Sequence, residues 1–226
     1  KVIFSYYMHS TVKNLLNIKN NIKENLNLLN INNNPKIIAV SKTFKIDKIK
    51  PLIDYGHIDF GENKVQEALE KWTEIKKLNP ELKLHMIGKL QTNKVKFAVK
   101  LFDYIHSVDS EKLAKKIADE QLKINKRIKI FLQVNIGEED QKSGINKNDI
   151  NKLVSYCNEI KLDLIGLMCI PPANIDPAIF FKEMNQLNKS LNFNELSMGM
   201  SSDFLIAAKY QSTFIRVGSG IFGQRS

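Results

Sequence analysis

Pro35-Lys36-Ile37-Ile38-Ala39-Val40-Ser41-Lys42-Thr43 is the stretch whose reading decides the fold. Four apolar residues, Ile37 to Val40, follow a lysine and a proline and end in Ser-Lys-Thr. A continuous apolar run of this length reads as a strand buried on both faces, the kind that parallel sheets use. Lys42 then falls just past the carboxyl end of the strand, which is where parallel α/β folds bind ligands. A lysine there has three readings. It is a clamp for phosphate or carboxylate, an amine that condenses with a carbonyl, or a solvated residue opening a loop.

Outward from that strand the chain alternates. Upstream, Leu15, Ile18, Ile22, Leu26 and Leu29 make an apolar stripe at helical spacing behind Ser10 or Thr11 as cap, which predicts a helix over 11–30. Asn30 to Asn34 reads as a loop. Downstream, strands are expected over 58–60, 84–87, 104–108, 128–136, 162–168, 196–198 and 214–217. Between them fall helices over 46–55, 65–78, 94–101, from a cap at Asp109 or Ser110 through Leu122, and over 149–160, 177–191 and 204–210. Eight short apolar strands, each followed by a helix or the start of one, imply a parallel sheet that closes into a (β/α)8 TIM barrel. An open doubly wound sheet is the fallback. It would need fewer strands, and no Gly-x-Gly-x-x-Gly turn follows the first one. No linker divides the chain, so a single α/β domain is expected over 11–226 behind an N-terminal extension, residues 1–10.

The chain has 226 residues, 43% of them hydrophobic, enough for one barrel. Its net charge is 34 − 24 = +10. The lysines are spread along predicted helices rather than clustered, so solvated helix faces explain them better than a nucleic-acid footprint. Cys157 and Cys169 form neither a disulfide framework nor a zinc pattern and fit a reducing compartment. Cys157 keeps step with a helical stripe, and Cys169 reads as a small buried hydrophobe rather than a rim thiol. No metal-ligand spacing occurs and no apolar stretch is long enough to span a membrane. Val2-Ile3-Phe4 reads as a packed or disordered terminus rather than the tail of a targeting segment, and a cytoplasmic location is the expectation.

In a barrel, residues just after each strand share one rim. Lys42 follows strand one, Gly61-Glu62-Asn63 strand two, Ser201 and Ser202 strand seven, and Gly218 and Ser219 strand eight. The loops after strands seven and eight are the usual phosphate site of this fold, and their glycines and serines suit it. Arg216 lies inside the last apolar strand, where a buried arginine wants a partner: an acid within the barrel, or a ligand ring atom or carboxylate. Lysine, phosphate cup and arginine together suggest pyridoxal 5′-phosphate, with Lys42 forming a Schiff base and Arg216 facing the pyridine nitrogen. An always-charged arginine leaves that nitrogen unprotonated and makes the ring a poor electron sink.

The same sequence resembles the pyridoxal-phosphate homeostasis protein family over nearly its whole length. The resemblance is carried by Ala39-Val40-Ser41-Lys42-Thr43, Phe60-Gly61-Glu62-Asn63 with Val65-Gln66-Glu67, His85-Met86-Ile87-Gly88 with Leu90-Gln91 and Asn93-Lys94, and His106-Ser107-Val108-Asp109. It continues through Gln133-Val134-Asn135-Ile136 with Lys142-Ser143-Gly144, Gly166-Leu167-Met168, Leu196-Ser197-Met198-Gly199-Met200-Ser201, and Arg216-Val217-Gly218-Ser219 with Ile221-Phe222-Gly223 and Arg225. It implies a barrel like the N-terminal domain of alanine racemase, with Lys42 carrying the cofactor. It implies Ser201, Gly218 and Ser219 at the phosphate, Arg216 at the ring nitrogen and Asn63 beside the ring. It further implies a carrier that keeps free aldehyde low and serves pyridoxal-phosphate-dependent apo-enzymes, as a monomer or weak dimer, with no catalytic residue assigned. The chain departs from the family pattern at Lys71-Trp72 and at Leu84-His85, neither expected to touch the cofactor cup, and stops at Ser226 without the usual short tail.

Two rivals stand beside this reading. An amino-acid racemase needs a second acid/base group opposite the lysine, which nothing after Ser226 is expected to supply. A basic nucleic-acid-binding barrel is motivated by the charge alone. His85 has two readings, a residue near the cofactor ring or a satisfied core histidine; His57 and His106 read as structural. Lys142-Ser143-Gly144 is either rim loop or solvated turn.

Overall fold

A computed structural model describes residues 8–139 and 143–224. Most of the expected extension, residues 1–7 with Val2-Ile3-Phe4, lies outside them, as do Lys142 and Arg225. In chain order the elements are α1 (Ser10–Leu28), β1 (Lys36–Val40), α2 (Ile46–Asp54), β2 (Asp59–Glu62), α3 (Val65–Leu78), β3 (Lys83–Met86), α4 (Val95–Leu101), β4 (Tyr104–Val108) and α5 (Glu111–Lys123). They continue as β5 (Lys129–Val134), α6 (Ile150–Glu159), β6 (Asp163–Cys169), α7 (Pro177–Ser190), β7 (Glu195–Ser197), α8 (Phe204–Lys209), β8 (Phe214–Val217) and α9 (Ser219–Phe222). The eight strands pair in parallel in sequence order, and β8 closes on β1 with Lys36 opposite Phe214 and Ala39 opposite Val217. The chain is a (β/α)8 barrel, and the open-sheet fallback is set aside.

Helix α1 explains how the ring of helices is completed. Among the described residues the four-residue α9 is the one helix after β8, and it covers little of that side of the barrel. The stripe Val12, Leu15, Ile18, Ile22 and Leu26 is buried, and α1 packs beside α2, α8 and α9. Asn14 Nδ2 donates to the Ile221 carbonyl at 2.9 Å and pins α1 to α9. The N-terminal helix thus covers the flank that the short α9 leaves open.

Some boundaries differ from the sequence expectation. His9, not Ser10 or Thr11, caps α1: its Nδ1 accepts from the Thr11 amide at 3.3 Å. The helix stops at Leu28, and Asn30 adopts φ +53°, a left-handed turn that asparagine tolerates. Strand β5 ends at Val134 rather than at 136. There Asn135 closes a turn, accepting from the Glu139 amide at 3.2 Å and donating to its carbonyl at 2.9 Å.

Two layers of core result. The larger lies between strands and helices and includes Cys157 and the single tryptophan, Trp72. The smaller fills the barrel interior with Ile38, Tyr104, Phe131, Met168 and Phe214. Among the described residues no helix is long and apolar enough to cross a membrane.

Candidate functional site

Strand period two sets which side chains of each strand point into the barrel. On β8, Phe214 sits in the inner core and Arg216, two residues on, reaches the carboxyl-terminal rim on the same face. There a cavity of about 480 Å³ opens. Its lining brings together all six residues singled out from the sequence: Lys42, Asn63, Ser201, Arg216, Gly218 and Ser219. Val40, Ile87, Ile170 and Met200 supply apolar wall. A second hollow of about 330 Å³ adjoins it through Asn63, Ile87 and Ile170 and carries Gln133, Asn135 and Ser143. Ser143 is therefore at the rim, and its carbonyl accepts from Gln133 Nε2 at 3.1 Å.

The two loops expected to hold a phosphate are tied together. Gly220 donates its amide to Ser201 Oγ at 3.2 Å, linking the loop after β7 to the turn that opens α9. That leaves the Ser201 hydroxyl proton to donate elsewhere. Gly218 and Ser219 start α9, where first-turn amides have no acceptor inside their own helix. Asp203 Oδ1 accepts the Met200 amide at 2.5 Å and fixes the loop before α8. Gly199 turns that loop at φ +91°, and a Cβ there would lie 2.4 Å from Ala207 Cβ, so only glycine serves.

Arg216 is buried, and burial lowers it from its ordinary value, yet a guanidinium titrates so high that it stays charged. The acid partner that a buried arginine invites is absent among the described residues. Instead Nη1 donates to Ser197 Oγ at 2.7 Å and Nη2 to the Cys169 carbonyl at 2.9 Å. Among the described residues two of its five N–H donors are used, and Arg216 lines the cavity. Cys169 itself is wholly buried, with its thiol pushed up to about 12 by burial, so the reading of a small hydrophobe holds.

Lys42 is half-buried on the cavity wall. The segment that carries it rests on a polar cluster the sequence did not reveal. Lys71 on α3 donates to the Ser41 carbonyl at 2.8 Å and to Glu62 Oε1 at 2.9 Å. Ser41 Oγ and Trp72 Nε1 reach the same carboxylate oxygen at 2.7 and 2.9 Å. Neither Lys71 nor Trp72 lines the cavity, as expected of these departures, but both brace the strand end beneath it. His85 is resolved as a satisfied core histidine. Its ring nitrogens face Asp59 Oδ1 at 2.9 Å and His106 Nε2 at 3.0 Å, and it lies off the cavity. Among the described residues no cluster suited to a metal ion occurs.

The arrangement offers an amine, a donor-only cation and a hydroxyl-rich cup around one partly apolar hollow. It suits a flat anionic ligand with a reactive carbonyl. Comparison with known proteins points the same way. Residues 14–226 match the family described as alanine racemase, N-terminal domain. The chain is 35% identical over 201 residues to the pyridoxal phosphate homeostasis protein of Pasteurella multocida, covering 84% of this chain and 86% of that one. It is 36% identical over 200 residues to the protein of the same name from Aquifex aeolicus, covering 84% and 87%. The solved structure of PipY from Synechococcus elongatus with PLP bound is 34% identical, with TM-score 0.79, over 89% of this chain and 100% of that one. An alanine racemase of Clostridium difficile, at 16% identity and TM-score 0.71 over 96% of this chain and 57% of that one, shares the fold.

Proposed function

This chain belongs to the pyridoxal phosphate homeostasis protein family, built on the alanine racemase N-terminal domain, and on that premise we propose that it binds pyridoxal 5′-phosphate and holds it in reserve. The observation that carries the reading is that Lys42, Arg216 and the tied Ser201–Gly220 loops face one cavity of about 480 Å³. That volume falls within the range of small-molecule sites, about 300–1,000 Å³.

The residues fit the group. Ser201, Gly218 and Ser219 would hold the phosphate, Arg216 would donate to the ring nitrogen, and Asn63 would lie beside the ring. The cofactor supplies an aldehyde open to attack by a primary amine. Lys42 is the primary amine placed to meet that aldehyde, and it would tether the cofactor reversibly, water being released on attachment and taken up on release. The Arg216 charge opposes protonation of the ring nitrogen, so the site favours storage over carbanion chemistry. The PLP bound in the PipY structure supports the choice of ligand. Delivery to pyridoxal-phosphate-dependent apo-enzymes completes the proposed role.

The test is an absorbance spectrum of the chain mixed with pyridoxal 5′-phosphate, then borohydride reduction and peptide mapping. A new reducible band with the adduct on Lys42 is expected. No band, or an adduct scattered over surface lysines, overturns the reading.

A further inference from the structure

Five polar side chains stand in single file through the barrel interior. Asp59 opens β2 at the amino-terminal mouth. His85 on β3, His106 on β4 and Ser197 on β7 are fully buried. Arg216 on β8 ends the file at the cofactor cavity. The contacts are unbroken: Asp59 Oδ1 to His85 Nε2 2.9 Å, His85 Nδ1 to His106 Nε2 3.0 Å, His106 Nδ1 to Ser197 Oγ 2.9 Å, and Ser197 Oγ to Arg216 Nη1 2.7 Å.

With both buried imidazoles neutral, the two ends fix the direction of every hydrogen. A guanidinium only donates and an ionised carboxylate only accepts. Asp59 therefore takes the proton on His85 Nε2. His85 is neutral, so its Nδ1 accepts from His106 Nε2–H. His106 Nδ1 must then accept from the Ser197 hydroxyl, whose oxygen is left to receive Arg216. Burial lowers both imidazoles, His106 the more strongly because His85 and Arg216 add to it. Both rings are thus neutral Nε2–H tautomers. Neither can turn freely, since His85 stacks on Tyr104 and His106 on Phe131, each with ring centroids 4.3 Å apart.

We propose that Asp59, His85, His106 and Ser197 are positioning residues, a one-way file of hydrogen bonds that fixes the Arg216 guanidinium against the ring nitrogen of the cofactor. This rests on the pyridoxal 5′-phosphate reading above. A serine hydroxyl is a rotor, and its oxygen faces Arg216 with its hydrogen turned away only while another acceptor takes that hydrogen. His106 is that acceptor, and His106 is held in the accepting tautomer by His85 and Asp59. Ser197 and the Cys169 carbonyl each hold one nitrogen of the fork, so the guanidinium is fixed at two points where Arg216 lines the cavity. The file thereby selects a ring that presents a bare acceptor nitrogen there.

Two measurements on the full chain test this. In 15N-labelled protein without cofactor at pH 7, His85 and His106 are each expected as the Nε2–H tautomer. An imidazolium or an Nδ1–H ring at either position overturns the file. Next, affinity is compared for pyridoxal 5′-phosphate and its 1-deaza analogue, in which C–H replaces the ring nitrogen. The wild type is expected to prefer the natural ring roughly tenfold, the scale of one hydrogen bond to a charged group. Ser197→Ala is expected to bring that ratio close to one, while Ser197→Thr, which keeps the hydroxyl, retains it. A preference that survives Ser197→Ala overturns the proposal. A wild type that binds both rings equally overturns the proposal and the Arg216 contact with the ring nitrogen, while the binding of pyridoxal 5′-phosphate stands. One that binds neither overturns it together with the reading it rests on.

Discussion

Lys71 Nζ lies 2.9 Å from Glu62 Oε1 in an ion pair buried directly beneath the strand end that carries Lys42. The Glu62 side chain is 0% exposed and that of Lys71 10%, so neither charge is relieved by water. Removing one partner of such a pair strands the other and costs about 3–5 kcal/mol. Lys71→Met is therefore expected to lower the guanidinium midpoint markedly, read by emission of Trp72, the single tryptophan. Adding Glu62→Leu to Lys71→Met is expected to recover part of the loss, because no fully buried charge is then left alone; Glu67, the second partner of Lys71 at 3.0 Å, is partly exposed to water. A double variant as unstable as the sum of the two singles would show that the pair is not coupled.

That cluster marks where sequence reading stops. Ile37 to Val40 announced a buried strand because an apolar run is a local pattern, and the glycines and serines after β7 and β8 announced a cup because the barrel maps strand ends onto one rim. Lys71 and Glu62 sit nine positions apart on different elements, and nothing in either segment says that they face each other. Along the sequence His85 and His106 stand alone, the one ambiguous and the other structural. Their joining needs the register of β3 on β4 and the reach across the barrel to Ser197, a partner 91 positions away from His106. The apolar run around Arg216 marks a buried cation, but not whether its partners are an acid or, as found, a hydroxyl and a backbone carbonyl.

Thr43, next to Lys42, holds φ +67°. A β-branched residue in the left-handed region is strained by roughly 1–2 kcal/mol. Its amide donates to Glu67 Oε1 at 2.5 Å, which holds it there. Thr43→Gly relieves the strain and gives back about 0.5–1 kcal/mol in chain entropy. A net rise in melting temperature of about 1–4 °C is expected by calorimetry. A fall would mean that the threonine side chain contributes more than its backbone costs.

His57 makes the fold acid-sensitive. Burial pulls its pKa from 6.5 down to about 4, with Lys19 and His85 acting in the same direction and Asp59 opposing them. Its Nε2 contacts the Asp59 carbonyl at 2.9 Å, and its ring meets Phe60 edge-on. Between pH 6.5 and 4 the unfolded chain binds a proton at this residue that the folded chain refuses, so stability rises with pH across that window. The depression of 6.5 − 4 = 2.5 pH units amounts to about 3 kcal/mol, intact above pH 6.5 and lost as pH falls to 4. Denaturant titrations from pH 7 to 4 are expected to show a slope shallower by about one proton in His57→Phe than in the wild type. Equal slopes would place the acid sensitivity elsewhere, at His85 or His106.

Gly88 and Gly218 separate the demands of the fold from those of the ligand. A Cβ on Gly88 would lie 2.4 Å from the Asn63 carbonyl oxygen and 2.8 Å from its Cα, both backbone atoms with little room to yield. Gly88→Ala must therefore shift Asn63, which lines the cavity. Both stability, by about 1–3 kcal/mol, and affinity for pyridoxal 5′-phosphate are expected to fall. A Cβ on Gly218 would meet Val40 at 3.5 Å, an ordinary contact, and the φ there is negative. Gly218→Ala is accordingly expected to melt within about 0.5 kcal/mol of the wild type, the range of an unstrained substitution. It adds a methyl group at a residue that lines the cavity and is proposed to hold the phosphate, so affinity is expected to drop while stability stays. Calorimetry and cofactor titration on the two variants decide the matter. If Gly218→Ala binds as tightly as the wild type, the phosphate does not sit against β8, and the cup must be placed nearer to Ser201 and Ser202.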